Sequence, residues 1–129
     1  IGAYHETGEV ITGDMPTPIK YFSPEINSAY KKVERIAEKR ILSTLPKELY
    51  EDFASLVQPS EEEKRIVKYA DKLTAYIKCV EETTCNNSEF SEALRSTERE
   101  LRGFNSSAVD YFMDSFVEAY KLTLDGLAE

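Results

Sequence analysis

The fold class this sequence predicts is all-α, on three observations. Apolar residues recur at helical spacing through nearly every segment, and no stretch shows the two-residue alternation of a strand. Helix-start signals stand where the apolar stripes begin. With five glycines and five prolines in 129 residues and 41 % hydrophobic content, the chain has few breakers and enough apolar mass for one globular domain over residues 1–129.

Each element follows in order. The opening "IGAYHETGEV" reads as the inside of a helix with no capping residue in front of Ile1, so a segment upstream is expected. "GDMPTP" is a turn-rich loop. Ser23 is a plausible N-cap, with Pro24 at the first helical position and Glu25 behind it. From there Ile26, Ala29, Tyr30, Val33, Ile36, Ala37 and Ile41 trace one face of a helix ending near Leu45-Pro46. "PKELYEDFASLV" predicts a short helix with Leu49, Phe53 and Leu56 on one side, closed by the breaker "QPS". Ser60 and Glu63 form a capping-box pattern that opens a long helix striped by Ile66, Ala70, Leu73, Ile77 and Val80. That helix stops near "TTCNN". Two segments remain: "SEFSEALRSTERELRGF", charged and mostly surface-like, and "SAVDYFMDSFVEAYKLTLDGL", whose Val109, Phe112, Met113, Phe116, Tyr120 and Leu124 face inward. Ile66, Ala70, Leu73, Ile77, Phe112, Met113 and Phe116 are expected in the core, and an apolar surface near residues 1–12 is expected to stay uncovered or to meet another chain.

Charge and cysteine content exclude several functions. A formal charge of −8, with 16 Lys and Arg mixed among 24 acids, repels a nucleic acid polymer. Cys79 and Cys85 do not form a disulfide framework, and no apolar run reaches the length of a membrane span or secretory signal. A cytoplasmic protein with no membrane partner is the expectation.

Two places hold candidate chemistry. On an ideal helix His5 and Glu9 lie at i and i+4 on one face, with Glu6 about 100° away. Asp71 falls between Ala70 and Thr74 at the edge of the long helix's stripe, where an unpaired charge is costly. By spacing alone, a single histidine and scattered carboxylates are a weak metal signature beside a spaced Cys/His set. A surface histidine, solvated glutamates and a salt bridge from Asp71 to Lys78 or Lys68 describe them equally well.

The run "YHETGEVITGDMPTPIKYF" closely resembles the active-site segment of the YfbR-like 5′-deoxynucleotidases, a branch of the HD-domain metal phosphohydrolases. In that family it reads Tyr-His-Asp, a Ser-Glu or similar pair, then Thr-Gly-Asp-Leu-Pro-Thr-Pro. "EEEKRIVKYADKLTAYIKCVEE", "NNSEF" and "DYFMDSFVEAYKLTLD" resemble its later helix, the turn after it and the closing helix, so the likeness covers the whole chain in order.

The resemblance implies an HD-domain-like helical bundle, of which this chain is the carboxy-terminal larger part, amino-terminally incomplete. It implies removal of phosphate from deoxyribonucleoside 5′-monophosphates, a divalent transition metal cation such as Co or Mn, and a homodimer. The metal ligands it implies are His5 and Asp71, with Glu6 in the place of the family's aspartate, and these side chains are expected to converge where helices cross. Glu9 matches the catalytic glutamate that handles the attacking water. Asp14 matches the substrate-pocket aspartate, with Thr12, Pro16 and Lys20 beside it around the nucleotide. The sequence departs from the pattern in two ways. Glu6 is one methylene longer than the family aspartate, and the family's further ligating histidine and phosphate-handling arginine segment are expected upstream. Two alternatives stand beside this reading: a degenerate, non-catalytic HD-type binding or regulatory protein, and another HD-superfamily nucleotide phosphohydrolase. The "TGDMPTPIKYF" loop resembles the monophosphatase group rather than the superfamily at large.

Overall fold

The computed structural model describes residues 1–123 and Gly126, and the expectation for Leu124 lies outside them. Among these residues there are helices and no strand. The chain divides into two compact units, Ile1–Val67 and Lys68–Glu129.

In the first unit a 3-10 turn, Gly2–Tyr4, precedes the short helices α1 (Glu9–Thr12) and α2 (Thr17–Lys20). Gly13 ends α1 at φ +69°, a conformation that side chains with a Cβ rarely adopt. Helix α3 (Pro24–Leu42) starts as its sequence predicts: Pro24 is its first residue, and the Ser23 side chain accepts a hydrogen bond from the Ile26 amide at 3.3 Å. Helix α4 (Lys47–Val57) follows Pro46, and Tyr4 packs edge-on against its Phe53 with centroids 5.9 Å apart. Tyr30, Ala37, Leu42 and Val57 are the buried apolar residues of this unit. They set the true phase of α3. Ile26, Val33 and Ile36, assigned to the inner face from sequence, are exposed, because α3 carries apolar residues over a wider arc than its neighbours cover. Val10 and Ile11 are exposed too, at 82 % and 50 %, in line with the uncovered surface expected near residues 1–12.

The capping box forms as predicted. The Ser60 amide donates to Glu63 Oε2 at 2.8 Å and the Glu63 amide to Ser60 Oγ at 3.3 Å, opening α5 (Glu61–Thr84).

In the second unit the core consists of Tyr76, Val80, Leu101, Val109, Met113 and Val117, with Tyr69, Leu73, Leu94, Phe104 and Phe112 packed against it. Of the stripe expected from sequence, Val80 is buried and Leu73 packs against the core, and α5 buries Tyr76 and Cys79 beside them. Ile66 and Ala70 are exposed and Ile77 is half-buried. Helix α6 (Ser91–Gly103) is charged and mostly on the surface as expected, yet it contributes Leu101, which is fully buried. Arg102 at its end donates to Asp110 at 2.9 Å and Asp114 at 2.7 Å on α7 (Ser107–Phe116). Val109 and Met113 face inward as predicted. Phe116 and Tyr120 do not: the buried residues Val109, Met113 and Val117 recur every four positions, and Phe116 and Tyr120 fall beside that line and are exposed. Beyond Phe116 the chain continues as a 3-10 turn over Val117–Lys121. No helix among the described residues is long and apolar enough to cross a membrane.

Candidate active site

The opening segment is wound more tightly than an α-helix. Backbone bonds run from Thr7 to Tyr4, Glu9 to Glu6, Val10 to Thr7 and Ile11 to Gly8, all three residues apart. His5–Gly8 are turn rather than helix, and α1 begins only at Glu9. The single helix assumed in placing His5 and Glu9 on an i, i+4 face therefore does not run through this segment. Gly8 is buried at the turn, and a Cβ there would stand 3.4 Å from the Glu34 carbonyl oxygen and 3.6 Å from Glu38 Cγ. These are ordinary contact distances, and they show that the segment lies directly on α3.

His5 Nδ1 is 2.6 Å from the carbonyl oxygen of Gly2. A carbonyl only accepts, so Nδ1 carries the proton and the lone pair of the neutral ring falls on Nε2. Nε2 lies 3.6 Å from Glu6 Oε1. Tying one ring nitrogen to a backbone carbonyl is the arrangement that orients a histidine for metal coordination through the other. Imidazole beside carboxylate is a donor pair suited to first-row divalent cations, so these residues fit the implied metal. Among the described residues no group of three or more His, Cys, Asp or Glu side chains stands close enough to hold an ion.

Glu9 sits half-buried at the start of α1. Its pKa is raised from the ordinary carboxylate value, first by burial and then by the neighbouring negative charges of Glu6, Asp14 and Glu34, with Lys20 pulling the other way. Such a carboxylate binds a proton more readily than a solvated one, which suits it to proton transfer.

The loop after Gly13 carries exposed Asp14 and then Pro16, which precedes the first residue of α2. The Thr12 hydroxyl is turned back onto the backbone, donating to Gly13 O at 3.0 Å. Lys20 Nζ is bonded to Glu34 Oε1 at 3.0 Å and lies 4.8 Å above the Tyr30 ring. Burial works against the lysine's charge, but the Glu34 carboxylate outweighs it and the pKa is raised. Within the first unit, therefore, the charges of Glu6, Asp14 and Lys20 all act on Glu9, with His5 beside Glu6. Asp71 belongs to the second unit, exposed on α5. Of the lysines suggested for it, Lys78 is paired with Glu82, and Lys68 lies over the Phe104 ring.

Sequence reasoning missed Asn27, Tyr30 and Glu34. The signal was the helical spacing of 27, 30 and 34, which sets two polar residues on the same face as buried Tyr30.

Comparison with known proteins gives concordant results. A family model described as 5′-deoxynucleotidase YfbR-like matches residues 1–120. The chain is 45 % identical to a 5′-deoxynucleotidase of Photobacterium profundum, over 99 % of this chain and 68 % of the relative. It is 49 % identical to 5′-deoxynucleotidase yfbR of Photorhabdus temperata, over 99 % of this chain and 66 % of that protein. Against a 5′-deoxynucleotidase of Pectobacterium atrosepticum it is 46 % identical, over all of this chain and 66 % of the relative. The chain thus spans about two thirds of the length of these relatives.

Proposed function

Because the chain belongs to the YfbR-like 5′-deoxynucleotidase family, we propose that its protein is a phosphohydrolase acting on deoxyribonucleoside 5′-monophosphates with a divalent metal. One observation carries the reading beyond the likeness. A histidine with its Nδ1 proton held by Gly2 O presents Nε2 to the Glu6 carboxylate, and Glu9, whose pKa is raised in part by that same carboxylate, stands four residues on.

His5, Glu6 and Asp71 are the ligands we propose, with cobalt or manganese as the ion; an imidazole and two carboxylates suit either. When bound, such a cation supplies the Lewis-acid charge that draws the electrons of a phosphoryl oxygen. Phosphomonoester hydrolysis is among the slowest uncatalysed reactions, so the proton of the attacking water must also be managed. Glu9 does this as its carboxylate accepts the proton while the water oxygen bonds to phosphorus and the bond to the 5′ oxygen breaks. Asp14 and Lys20, with Thr12 and Pro16 shaping the loop, border the nucleotide. Lys20, an ammonium held in place by Glu34, would offer a cation to a small dianion within an acidic chain.

Both units belong, in this reading, to one HD-type domain. The free thiols Cys79 and Cys85 suit a reducing cytoplasm, and a homodimer would cover apolar side chains such as Val10 and Phe22 that the first unit exposes. The test is a substrate panel with the full-length protein. Deoxyribonucleoside monophosphates should release phosphate faster than ribonucleotides, triphosphates or cyclic dinucleotides. Faster cleavage of a triphosphate or phosphodiester would assign a different HD-superfamily chemistry.

A further inference from the structure

Both ends of the Gly13–Lys20 loop are tied to one face of α3, and the ties meet at Tyr30. At the near end the Tyr30 hydroxyl donates to the Gly13 carbonyl oxygen at 3.1 Å. The Thr12 hydroxyl donates to the same oxygen at 3.0 Å, so both of its lone pairs are used. At the far end Asn27 Nδ2 donates to the Lys20 carbonyl at 3.2 Å, one turn of α3 before Tyr30. One turn after Tyr30, Glu34 binds Lys20 Nζ at 3.0 Å and holds it over the Tyr30 ring. The ring is only 6 % exposed, so the phenol is a fixed anchor. The segment it anchors has few holds of its own: α2 is a single turn, and Gly13 leaves α1 at a φ open chiefly to glycine.

We propose that Tyr30 is a positioning residue, whose hydroxyl and ring fix the Asp14 loop and Lys20 in the places where they meet the nucleotide. This rests on the reading of Asp14 and Lys20 as substrate residues. Tyr30 itself touches no reacting atom. Its hydroxyl sets where the chain turns at Gly13, immediately before Asp14, and its ring and the Glu34 carboxylate set where the ammonium of Lys20 stands. Loop and cation are thereby placed before substrate arrives, and binding need not order them.

Tyr30→Phe in the full-length protein tests this, since it keeps the buried ring and removes only the hydroxyl, with its bond to Gly13 O and its 3.4 Å contact with Thr12 Oγ1. Amide hydrogen exchange over residues 13–20, measured without substrate, should accelerate about fivefold or more, the effect of losing one ordinary hydrogen bond, while exchange in α4 stays unchanged. The KM for a deoxyribonucleoside monophosphate should rise by a similar factor at nearly constant kcat. A merely structural role would lower the active fraction, and with it kcat, and leave KM alone. Unchanged loop exchange, or a fall in kcat with KM untouched, overturns the proposal. Should the wild-type protein show no hydrolysis of these nucleotides, the functional reading falls, and the exchange measurement still decides whether Tyr30 clamps the loop.

Discussion

The Nδ1 proton of His5 is held by the carbonyl oxygen of Gly2 at 2.6 Å. His5 is the single histidine of these 129 residues, and its tautomer is read from its assigned ring nitrogens. Nitrogen-15 NMR at a pH where the ring is neutral should show the Nδ1–H form, with Nε2 unprotonated. Adding cobalt or manganese should then perturb Nε2 first. The opposite tautomer would remove the geometric support for His5 as a ligand.

Glu9 should behave as a proton acceptor rather than a ligand. Glu9→Gln is expected to lower kcat by about 10²-fold or more and leave metal content unchanged, the usual share of a general base. Its pKa is raised, first by burial and then by Glu6 and Asp14, and a base works deprotonated. The acidic limb of the kcat/KM profile should therefore lie above the range of a solvated glutamate. Asp14→Asn, which removes one of the raising charges, should move that limb to lower pH.

The length of the Glu6 side chain is a separate test. Glu6→Asp withdraws the carboxylate by roughly one bond length, against a tolerance in metal–ligand distances of about 0.2 Å. With Glu6 as an imperfect substitute for aspartate, the shorter acid should tighten metal binding and raise turnover together. In a site adapted to glutamate both should fall. Metal titration followed by calorimetry separates the two results.

Stability should depend on Glu38, half-buried on α3. Burial raises its pKa, and Glu34 raises it further. A carboxyl with a raised folded-state pKa favours the fold while protonated, so this contribution is complete below its unfolded pKa and is lost as pH rises through the folded value. Glu38→Gln should raise Tm at pH 7 to 8 and flatten the fall of Tm between acid and neutral pH. A lower Tm at neutral pH would contradict it. As a contrast, Leu101→Ala removes a fully buried side chain and should cost about 2–5 kcal/mol in denaturant unfolding.

What the sequence made legible was mostly local. Ser23 with Pro24 and Ser60 with Glu63 mark helix starts through hydrogen bonds within one turn, and both form as expected. Which face of a helix is buried depends on neighbours far along the chain. Helix α5 has apolar residues around more than one face: Leu73 and Val80 of the expected stripe meet the core together with Tyr76, which was not expected there, while Ile66 and Ala70 stay exposed. Phe116 was misplaced because this segment carries apolar residues on two adjoining lines, Phe112 and Phe116 beside Val109, Met113 and Val117, and packing buries the second most fully. At the site, the candidate residues could be named from motifs, while the tight winding at His5 and the hold of Tyr30 on Gly13 O depend on backbone geometry and contacts with α3.

The most direct measurement of the central claim is phosphate release by the full-length protein from a deoxyribonucleoside 5′-monophosphate, after removal of metal with a chelator and again after adding cobalt or manganese. The stripped protein should be inactive, and the added ion should restore turnover in wild type but not in His5→Ala. Full activity after stripping, or restoration in His5→Ala equal to wild type, would contradict a metal-dependent site built on His5.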